Sequence, residues 1–279
     1  MEKKIKKERL TSRAEDLNKS PNSPKSQEEI LVDQLCEGLE TYKHHSSKVF
    51  LGAVTAGAEI GFSYLIIAVI YTFLIGKLSE EVIPFVAAFA YPLGFIIVVL
   101  GKSILFTEQT SLLALPVLHG RRSLPELLKL WGIVIGGNLI GGAFMAILIV
   151  IVGTGMGILS LEAISAIAVH VSNKGVPVIF GSAVLAGWLM ALLSWLVSSS
   201  TETISRIVVI YMITLIVGFA GLHHSIVGNI EVLAGLLFTE DLSIQTYLTF
   251  QSTALLGNAF GGVFFVALLR YRAFAANFS

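Results

Sequence analysis

The sequence contains little charge and almost no cysteine, and both shortages narrow its class. Only 14% of its 279 residues are charged, against about 25% in an average soluble domain. The hydrophobic share is 54% and the mean hydropathy is +0.80. This composition excludes a soluble globular enzyme. The single cysteine, Cys36, leaves no intrachain disulfide and no thiolate metal site.

An excess of charge of one sign and the common hydrolytic motifs are also missing. The formal net charge is zero, so no basic face is available for nucleic acid. Neither His-Glu-x-x-His nor Gly-x-Ser-x-Gly occurs, so neither a metal site nor a serine nucleophile for hydrolysis is indicated. We expect no enzymatic activity, no cofactor, no bound metal and no nucleic-acid partner.

The apolar residues that are present form long runs. About 20 apolar residues cross a bilayer as a helix, and the chain from Phe50 onward has several such stretches. Their approximate bounds are residues 50–75, 84–106, 127–152, 175–197, 206–222 and 246–269. The apolar segments Ser111–Leu118 and Ser225–Phe238 are too short to span. The sequence therefore predicts an all-α membrane protein with six transmembrane helices in the lipid bilayer.

The basic residues of the loops predict the orientation. Those of the N-terminal segment, the second and fourth loops and the C-terminal end are Lys43, Lys48, Arg121, Arg122, Arg206, Arg270 and Arg272. The opposite loops hold Lys77 and Lys174 beside several carboxylates. By the positive-inside rule both termini are cytoplasmic. No apolar core of a signal peptide follows the charged first residues, and we expect a multi-pass protein of the bacterial inner membrane.

Half of the charged residues lie within residues 1–48, which divides the chain. Residues 1–28 are rich in Lys, Glu, Ser, Asn and Pro and predict a disordered cytoplasmic tail. Residues 29–48 place apolar side chains at helical spacing and predict an amphipathic helix on the membrane surface or on a partner subunit. Residues 49–273 then form the transmembrane domain, and residues 274–279 form a short cytoplasmic tail.

The transmembrane domain contains an internal repeat. The string Gly-Asn-x-x-Gly-Gly occurs at residues 137–142 and at 257–262, with Asn138 and Asn258 as its asparagines. Each copy lies in the third long stretch of its half, so the two halves have opposite orientations in the membrane. Such an inverted 3+3 repeat is typical of transport proteins.

Polar residues interrupt the second and fifth stretches at equivalent places. Polar backbone at membrane depth is tolerated where it is buried in protein or lines a cavity, and the positive end of a broken helix there suits an anion. Thr107 and His224 are the main pore candidates. A neutral imidazole donates one hydrogen bond and titrates near neutral pH, so His224 could protonate a weak-acid anion and remove the charge that makes crossing costly. Thr107 could cap the half-helix that follows the interruption of the second stretch, or donate to the anion, and Glu108 lies in the first turn of that half-helix, where the helix dipole favours it.

Three more charged residues lie within the apolar stretches. An unpaired charge at membrane depth costs several kcal/mol, so Glu59 and Lys102 could pair with each other. Alternatively, Glu59 is protonated or Lys102 reaches a vestibule. Glu231 would oppose an anion if it lined the pore, and we expect it at a subunit contact or in the outer vestibule.

Several motifs resemble the formate/nitrite transporter family over about residues 51–271. Leu105-Phe106-Thr107 looks like the family's Leu-Phe-Thr signature in the second helix. Trp131 with the glycine-asparagine pair at 137–138 resembles its third-helix pattern, Trp195 the end of its fourth helix, and the pair at 257–258 its sixth. The segment 221–225 resembles the fifth-helix motif, which places the family's central pore histidine at His224.

The resemblance implies a homopentamer whose protomers each conduct small monovalent anions such as formate, nitrite or hydrosulfide. It places hydrophobic constrictions at Phe106 and near Tyr91 and Phe95, and a vestibule lysine that attracts anions at Lys174. The pattern departs from the family at His223, where a glutamate is usual, and after Ser225. It is closer to a divergent inner-membrane branch than to the formate and nitrite channels themselves.

Other functions remain open on the sequence. A neutral-solute channel of the aquaporin type shares the architecture, but its Asn-Pro-Ala triplets are absent from both interruptions. The membrane-embedded glutamates favour a cation or proton channel, and the N-terminal segment is compatible with a non-conducting scaffold or sensor.

Overall fold

The computed structural model describes residues 25–274, and no strand occurs among them. The helices in chain order are α1 (Gln27–Lys43), α2 (Ser46–Glu59), α3 (Gly61–Leu74), α4 (Ile83–Ala88), α5 (Pro92–Gly101), α6 (Phe106–Leu118), α7 (Leu124–Gly155), α8 (Leu161–Ser172), α9 (Val176–Ser199), α10 (Thr203–Phe219), α11 (Ser225–Phe238), α12 (Ile244–Gly262) and α13 (Leu269–Phe274). A π-helical stretch, Val263–Leu268, joins α12 to α13.

Most helix positions follow the sequence prediction. The amphipathic helix α1 begins at Gln27 because Ser26 caps it and Glu29 completes a capping box. Nearly all of the predicted tail, residues 1–28, lies outside the described part of the chain, as does the C-terminal tail after residue 274. Helix α8 was not predicted, since its 12 residues are apolar but too few for a span.

Within the described residues, five helical segments are long and apolar enough to cross a membrane. They are Ser46–Leu74, Ile83–Gly101, Leu124–Gly155, Val176–Ser199 and Ile244–Ala273. These segments cover the expected stretches one to four and six. Helix α10 covers the fifth, but with 17 residues it is too short to qualify by length. The six-span arrangement therefore stays a prediction.

The two interruptions arise from local backbone conformation. Helix α5 ends where Lys102 adopts a left-handed conformation (φ 57°), and the chain then runs to the start of α6 at Phe106. Helix α10 ends before Gly221, which also has a positive φ (58°) that glycine adopts readily. Each interruption therefore places the start of a short helix, α6 or α11, within the protein.

Each half contains an equivalent close contact between two of its helices. A Cβ atom added at Gly141 of α7 would collide with the carbonyl oxygen of Val54 on α2. At the matching position on α12, a Cβ at Gly261 would collide with the carbonyl oxygen of Val184 on α9. Glycine thus lets α7 approach α2 as closely as α12 approaches α9.

Candidate functional site

The start of helix α6 is fixed by the side chain of Asn138 on α7. Its amide oxygen accepts a hydrogen bond from the backbone N–H of Phe106 at 2.8 Å. Its amide nitrogen donates to the carbonyl oxygens of Ala53 (2.7 Å) and Ile104 (2.9 Å). Asn138 is fully buried. One side chain therefore ties the first interruption to α2 and α7.

Asn258 fixes the start of helix α11 in the same way. Its amide oxygen accepts from the backbone N–H of Ser225 at 2.8 Å, and its amide nitrogen donates to the carbonyl oxygens of Ala183 (2.7 Å) and His223 (3.0 Å). The asparagines of the repeated Gly-Asn-x-x-Gly-Gly string thus perform equivalent structural tasks. The sequence flagged both residues, and the structure gives the reason for their type, which is one acceptor and two donors in a single side chain.

The two helix starts meet at Thr107 and His224. Thr107 lies in the first turn of α6 and His224 is the N-cap residue of α11. The Thr107 hydroxyl and the Nε2 atom of His224 are 2.6 Å apart, and both side chains are buried. The structure therefore brings together the two residues that the sequence analysis put first.

Hydrogen bonding fixes the protonation of the His224 ring. Its Nδ1 atom accepts a hydrogen bond from the backbone N–H of Val227 at 3.2 Å. An N–H group can only donate, so Nδ1 carries a lone pair, and in the neutral ring the proton lies on Nε2. Nε2–H then donates to the Thr107 oxygen, which leaves the hydroxyl hydrogen of Thr107 available to a ligand.

Aromatic rings pack against one side of the Thr107–His224 contact. The rings of Phe95 and His224 pack edge to face, with centroids 5.1 Å apart. Tyr91 packs against Phe95 at 5.3 Å. Leu105 and Phe106 are buried as well, and the Phe106 ring packs against Trp131. Of the predicted constriction residues, Phe95 contacts His224 directly.

His223 and Ser225 flank His224 but face different surroundings. The Nε2 atom of His223 donates to the carbonyl oxygen of Val171 (3.0 Å), and its Nδ1 atom lies 2.8 Å from the Ser182 hydroxyl. Both ring nitrogens of His223 are therefore engaged in joining the interruption to α8 and α9. The Ser225 hydroxyl is buried and has no hydrogen-bond partner among the described residues.

A small cavity of about 100 Å³, which we call the Glu231 cavity, lies on one side of His224. Its polar and ionisable wall residues are Tyr71, Tyr91, His170, Lys174, His223, His224 and Glu231. The sequence analysis did not place Glu231 here. Its seventh position after His224 puts it two turns along α11, and helical spacing alone did not say which face lines a cavity.

A larger space adjoins the Glu231 cavity. This acidic vestibule has a volume of about 1040 Å³ and shares Tyr71, Pro84 and His170 with the smaller cavity. Its walls carry the carboxylates Glu80, Glu162, Glu240 and Asp241. The predicted vestibule residue Lys174 is exposed and lies on the wall of the smaller cavity.

A cavity of about 510 Å³, the α1 cavity, lies beyond Thr107 on the other side. It is bounded by α1 and by residues near the first interruption, among them Lys102, Glu108 and Gln109. Burial raises the pKa of Glu37 on α1, and the charge of Lys102 opposes that rise. The Thr107–His224 contact therefore lies between two cavities. Glu108, in the first turn of α6, lies on the wall of one, and Glu231, two turns along α11, lies on the wall of the other.

Glu59 and Lys102 do not form an ion pair in the described structure. One carboxylate oxygen of Glu59 is buried without a hydrogen-bond partner among the described residues. Lys102 is exposed and lines the α1 cavity. The alternative in which Lys102 reaches a vestibule agrees with this geometry, because the left-handed turn directs the chain away from the helix.

Comparison with known proteins gives the same architecture. The fold matches an FNT family ion channel with a TM-score of 0.77 at 21% identity, covering 88% of this chain and 98% of that one. It also matches a pentameric formate channel with formate bound, with a TM-score of 0.68 at 22% identity, covering 82% and 98%.

Relatives at the level of sequence are membrane proteins and transporters. The inner membrane protein YfdC of Escherichia coli K12 is 28% identical over 84% of this chain and 74% of its own length. The nitrite transporter NirC of Salmonella typhimurium LT2 is 26% identical over 78% and 80%. The family profile described as Formate/nitrite transporter matches residues 28–272. With that match over most of its length, the chain belongs to the formate/nitrite transporter family.

Proposed function

We propose that this protein is a channel or transporter for small monovalent anions of weak acids, and that each protomer's pore passes the Thr107–His224 contact. The observation that carries the proposal is the meeting of two buried helix starts at that contact. Each start carries about half a positive elementary charge from its aligned peptide dipoles. Two such partial positive charges at one point attract an anion. Because no full charge is fixed there, the anion is not held tightly.

The side chains at the contact suit the same ligand. The Thr107 hydroxyl hydrogen is free to donate, and neutral His224 adds polarity without a full charge. The ring of Phe95 limits access of water. A site that binds an anion weakly in a narrow apolar passage allows the anion to leave again, which conduction requires.

The arrangement in the membrane is part of the proposal. We infer six spans in an inverted 3+3 repeat, with α10 as the fifth span and α6 and α11 as half-helices. Residues 1–28 and 274–279 then form cytoplasmic tails, α1 lies at the cytoplasmic face, and the acidic vestibule opens to the outside, where Lys174 attracts anions. The equivalent bonds of Asn138 and Asn258 support the repeat. The fold likeness to a pentameric formate channel supports a homopentamer in the inner membrane.

Relatives and chemistry support the substrate class. One relative is a nitrite transporter, and another is a probable formate transporter of Methanothermobacter thermautotrophicus that is 26% identical over 80% of this chain. Both are small monovalent anions of weak acids. A cation or proton channel is the second candidate, because Glu108 and Glu231 each lie on the wall of a cavity beside the contact.

Flux into reconstituted liposomes tests the proposal. Wild-type protein is expected to pass at least one of formate, nitrite, acetate, lactate and hydrosulfide, and His224→Phe is expected to abolish or sharply reduce that flux. The substitution removes both the donor to Thr107 and the cap of α11. His44→Phe, at an exposed position outside the pore, is the matched control and should conduct like wild type.

Different outcomes separate the candidates. Equal flux through His224→Phe and wild type would contradict the assigned pore. Selective passage of cations or protons would favour the second candidate. Absence of flux with every solute would indicate a scaffold or sensor.

A further inference from the structure

Glu231 is the one carboxylate that lines the Glu231 cavity. Its side chain is 7% exposed, and no hydrogen bond to it is found within residues 25–274. It lies on α11, whose first residues form the helix start at His224. A buried carboxylate without a partner favours its protonated form or a transient partner, because an unpaired charge at membrane depth is costly.

The other ionisable groups facing Glu231 are less able to exchange protons, except for His170, which is exposed on the wall shared with the acidic vestibule. They are Tyr64 and Tyr71 from α3, Tyr91 before α5, His170 from α8, Lys174 after α8, and His223 and His224 before α11. Tyr247, from α12, donates to the amide oxygen of Asn229, two residues before Glu231. Tyrosine and lysine side chains titrate far above neutral pH. Both ring nitrogens of His223 are held by hydrogen bonds.

His224 is also poorly suited to carry a proton. Its Nδ1 lone pair accepts the backbone N–H of Val227, and its Nε2 atom bonds to Thr107. Protonating Nδ1 would break the cap of α11 and place two positive helix ends beside an imidazolium. The sequence analysis gave His224 the role of protonating the anion, but the structure leaves it no free lone pair for that task.

We propose that Glu231 is the proton-exchange group of the pore: the helix starts attract the anion to the Thr107–His224 contact, and a proton from Glu231 lets it leave that contact as a neutral weak acid. This inference rests on the proposed function and names the form in which the substrate crosses. In the inward direction, the O–H bond of the Glu231 carboxyl breaks as an O–H bond forms on the carboxylate of the anion. The carboxylate left at Glu231 then takes a proton from hydronium in the acidic vestibule, and the neutral acid releases its own proton to water on the inner side.

The cavity geometry fits this exchange. About 100 Å³ equals the liquid volume of about three waters, which is enough for one anion of three heavy atoms but not for a hydrated one. The vestibule that adjoins it is open to water and lined by carboxylates. The vestibule carboxylates repel an anion, but a local supply of protons assists its entry. Proton exchange at Glu231 therefore makes an acidic entrance compatible with an anionic substrate.

Formate flux and vesicle pH, measured together in liposomes between about pH 5 and about pH 8, test the proposal, with protein-free liposomes subtracted. In wild type, formate entry should bring protons inward and should rise as the pH falls. Glu231→Gln should reduce flux by roughly 100-fold, the lower end of what positioned proton-transfer groups contribute, and flatten the pH profile. Glu231→Asp should retain the slope at lower flux, and Glu81→Gln, an exposed carboxylate away from the cavities, should behave like wild type.

The outcomes separate this inference from the proposed function. Wild-type flux and an unchanged pH profile in Glu231→Gln would overturn the proton-exchange role alone. Formate entry without protons in wild type would do the same. If wild type passes cations and no small anion, both the proposed function and this inference fail. If Glu231→Gln does not assemble, a flat pH profile in Glu231→Asp would overturn the role.

Discussion

Asn138 and Asn258 are the residues on which the geometry of both helix starts depends. Each amide group satisfies two carbonyl oxygens and one backbone N–H that are buried in the interior. A buried polar group left without a partner costs about 1–3 kcal/mol. Aspartate cannot replace asparagine here, because a carboxylate cannot donate to two carbonyl oxygens.

Asn258→Asp is therefore expected to lower the melting temperature of the detergent-solubilised protein by several degrees. Asn138→Asp should have a similar effect, because its bonds are equivalent. Asn173→Asp, at the exposed end of α8, is the control and should melt like wild type. Unchanged melting of both interior variants would show that the asparagine side chains do not hold the helix starts.

Glu59 and Lys102 show the limit of charge arguments made without coordinates. The sequence placed both in apolar stretches, which made a pair plausible, but the left-handed turn at Lys102 directs it to the α1 cavity. The helix period could not reveal that turn, because lysine rarely adopts this backbone conformation. The Glu59 carboxylate lies beside Gly101, yet the side chain of Lys102 turns away from it and the two form no ion pair in the described structure.

A double-mutant cycle with Glu59→Gln and Lys102→Met should give additive changes in the free energy of unfolding. Because the two side chains form no ion pair, the coupling energy should stay below about 0.5 kcal/mol, the lower end of the range for interacting residues. Melting in detergent gives the comparison. A double variant clearly more stable than the sum of the single changes would reveal a pair that the structure does not contain.

At the scale of elements, close helix approach depends on glycine at matched positions. Gly141→Ala and Gly261→Ala would each push a methyl group into a backbone carbonyl of the neighbouring helix, α2 or α9. Overpacking of this kind costs about 1–3 kcal/mol. We expect both variants to melt earlier than wild type. Gly181→Ala, where a Cβ meets nothing within 4 Å, is the control, and equal melting of all three variants would contradict the packing role.

The sequence predicts elements better than it predicts their contacts. Helix α11 has the predicted bounds, Ser225–Phe238, because Gly221 and the histidine pair mark the interruption clearly. Helix α8 was not predicted, because its 12 residues are too few to span a membrane and do not belong to the repeated string. The repeat predicts that the interruptions at Thr107 and His224 are equivalent. It does not predict their 2.6 Å contact, because no sequence period specifies a contact between residues 117 positions apart. The place of Glu231 depends on the rotation of α11, where Gly228 packs against the ring of Phe250 and Asn229 donates to the carbonyl oxygen of Leu139.

At the scale of the whole molecule, the outward surface is apolar along several helices. On α7 one face exposes Ile140, Phe144, Ile147 and Ile151, spaced by three or four residues. Such a face is stable against lipid or against another subunit. Part of the same helix offers a close approach, because a Cβ added at Gly132 or Gly136 meets nothing within 4 Å. Small residues four apart let helices of separate chains pack closely in a membrane.

Native mass spectrometry in mild detergent is expected to find five copies of the 30.0 kDa chain. Gly136→Leu is expected to shift the distribution toward smaller species, because the larger side chain separates α7 from a neighbouring subunit at the glycine pair. Gly155→Leu, also in open space but at the other end of α7, is the control and should leave the pentamer intact. A wild-type monomer or trimer would contradict the pentamer, whereas a pentamer that survives Gly136→Leu would move the subunit contact to another face of the helix.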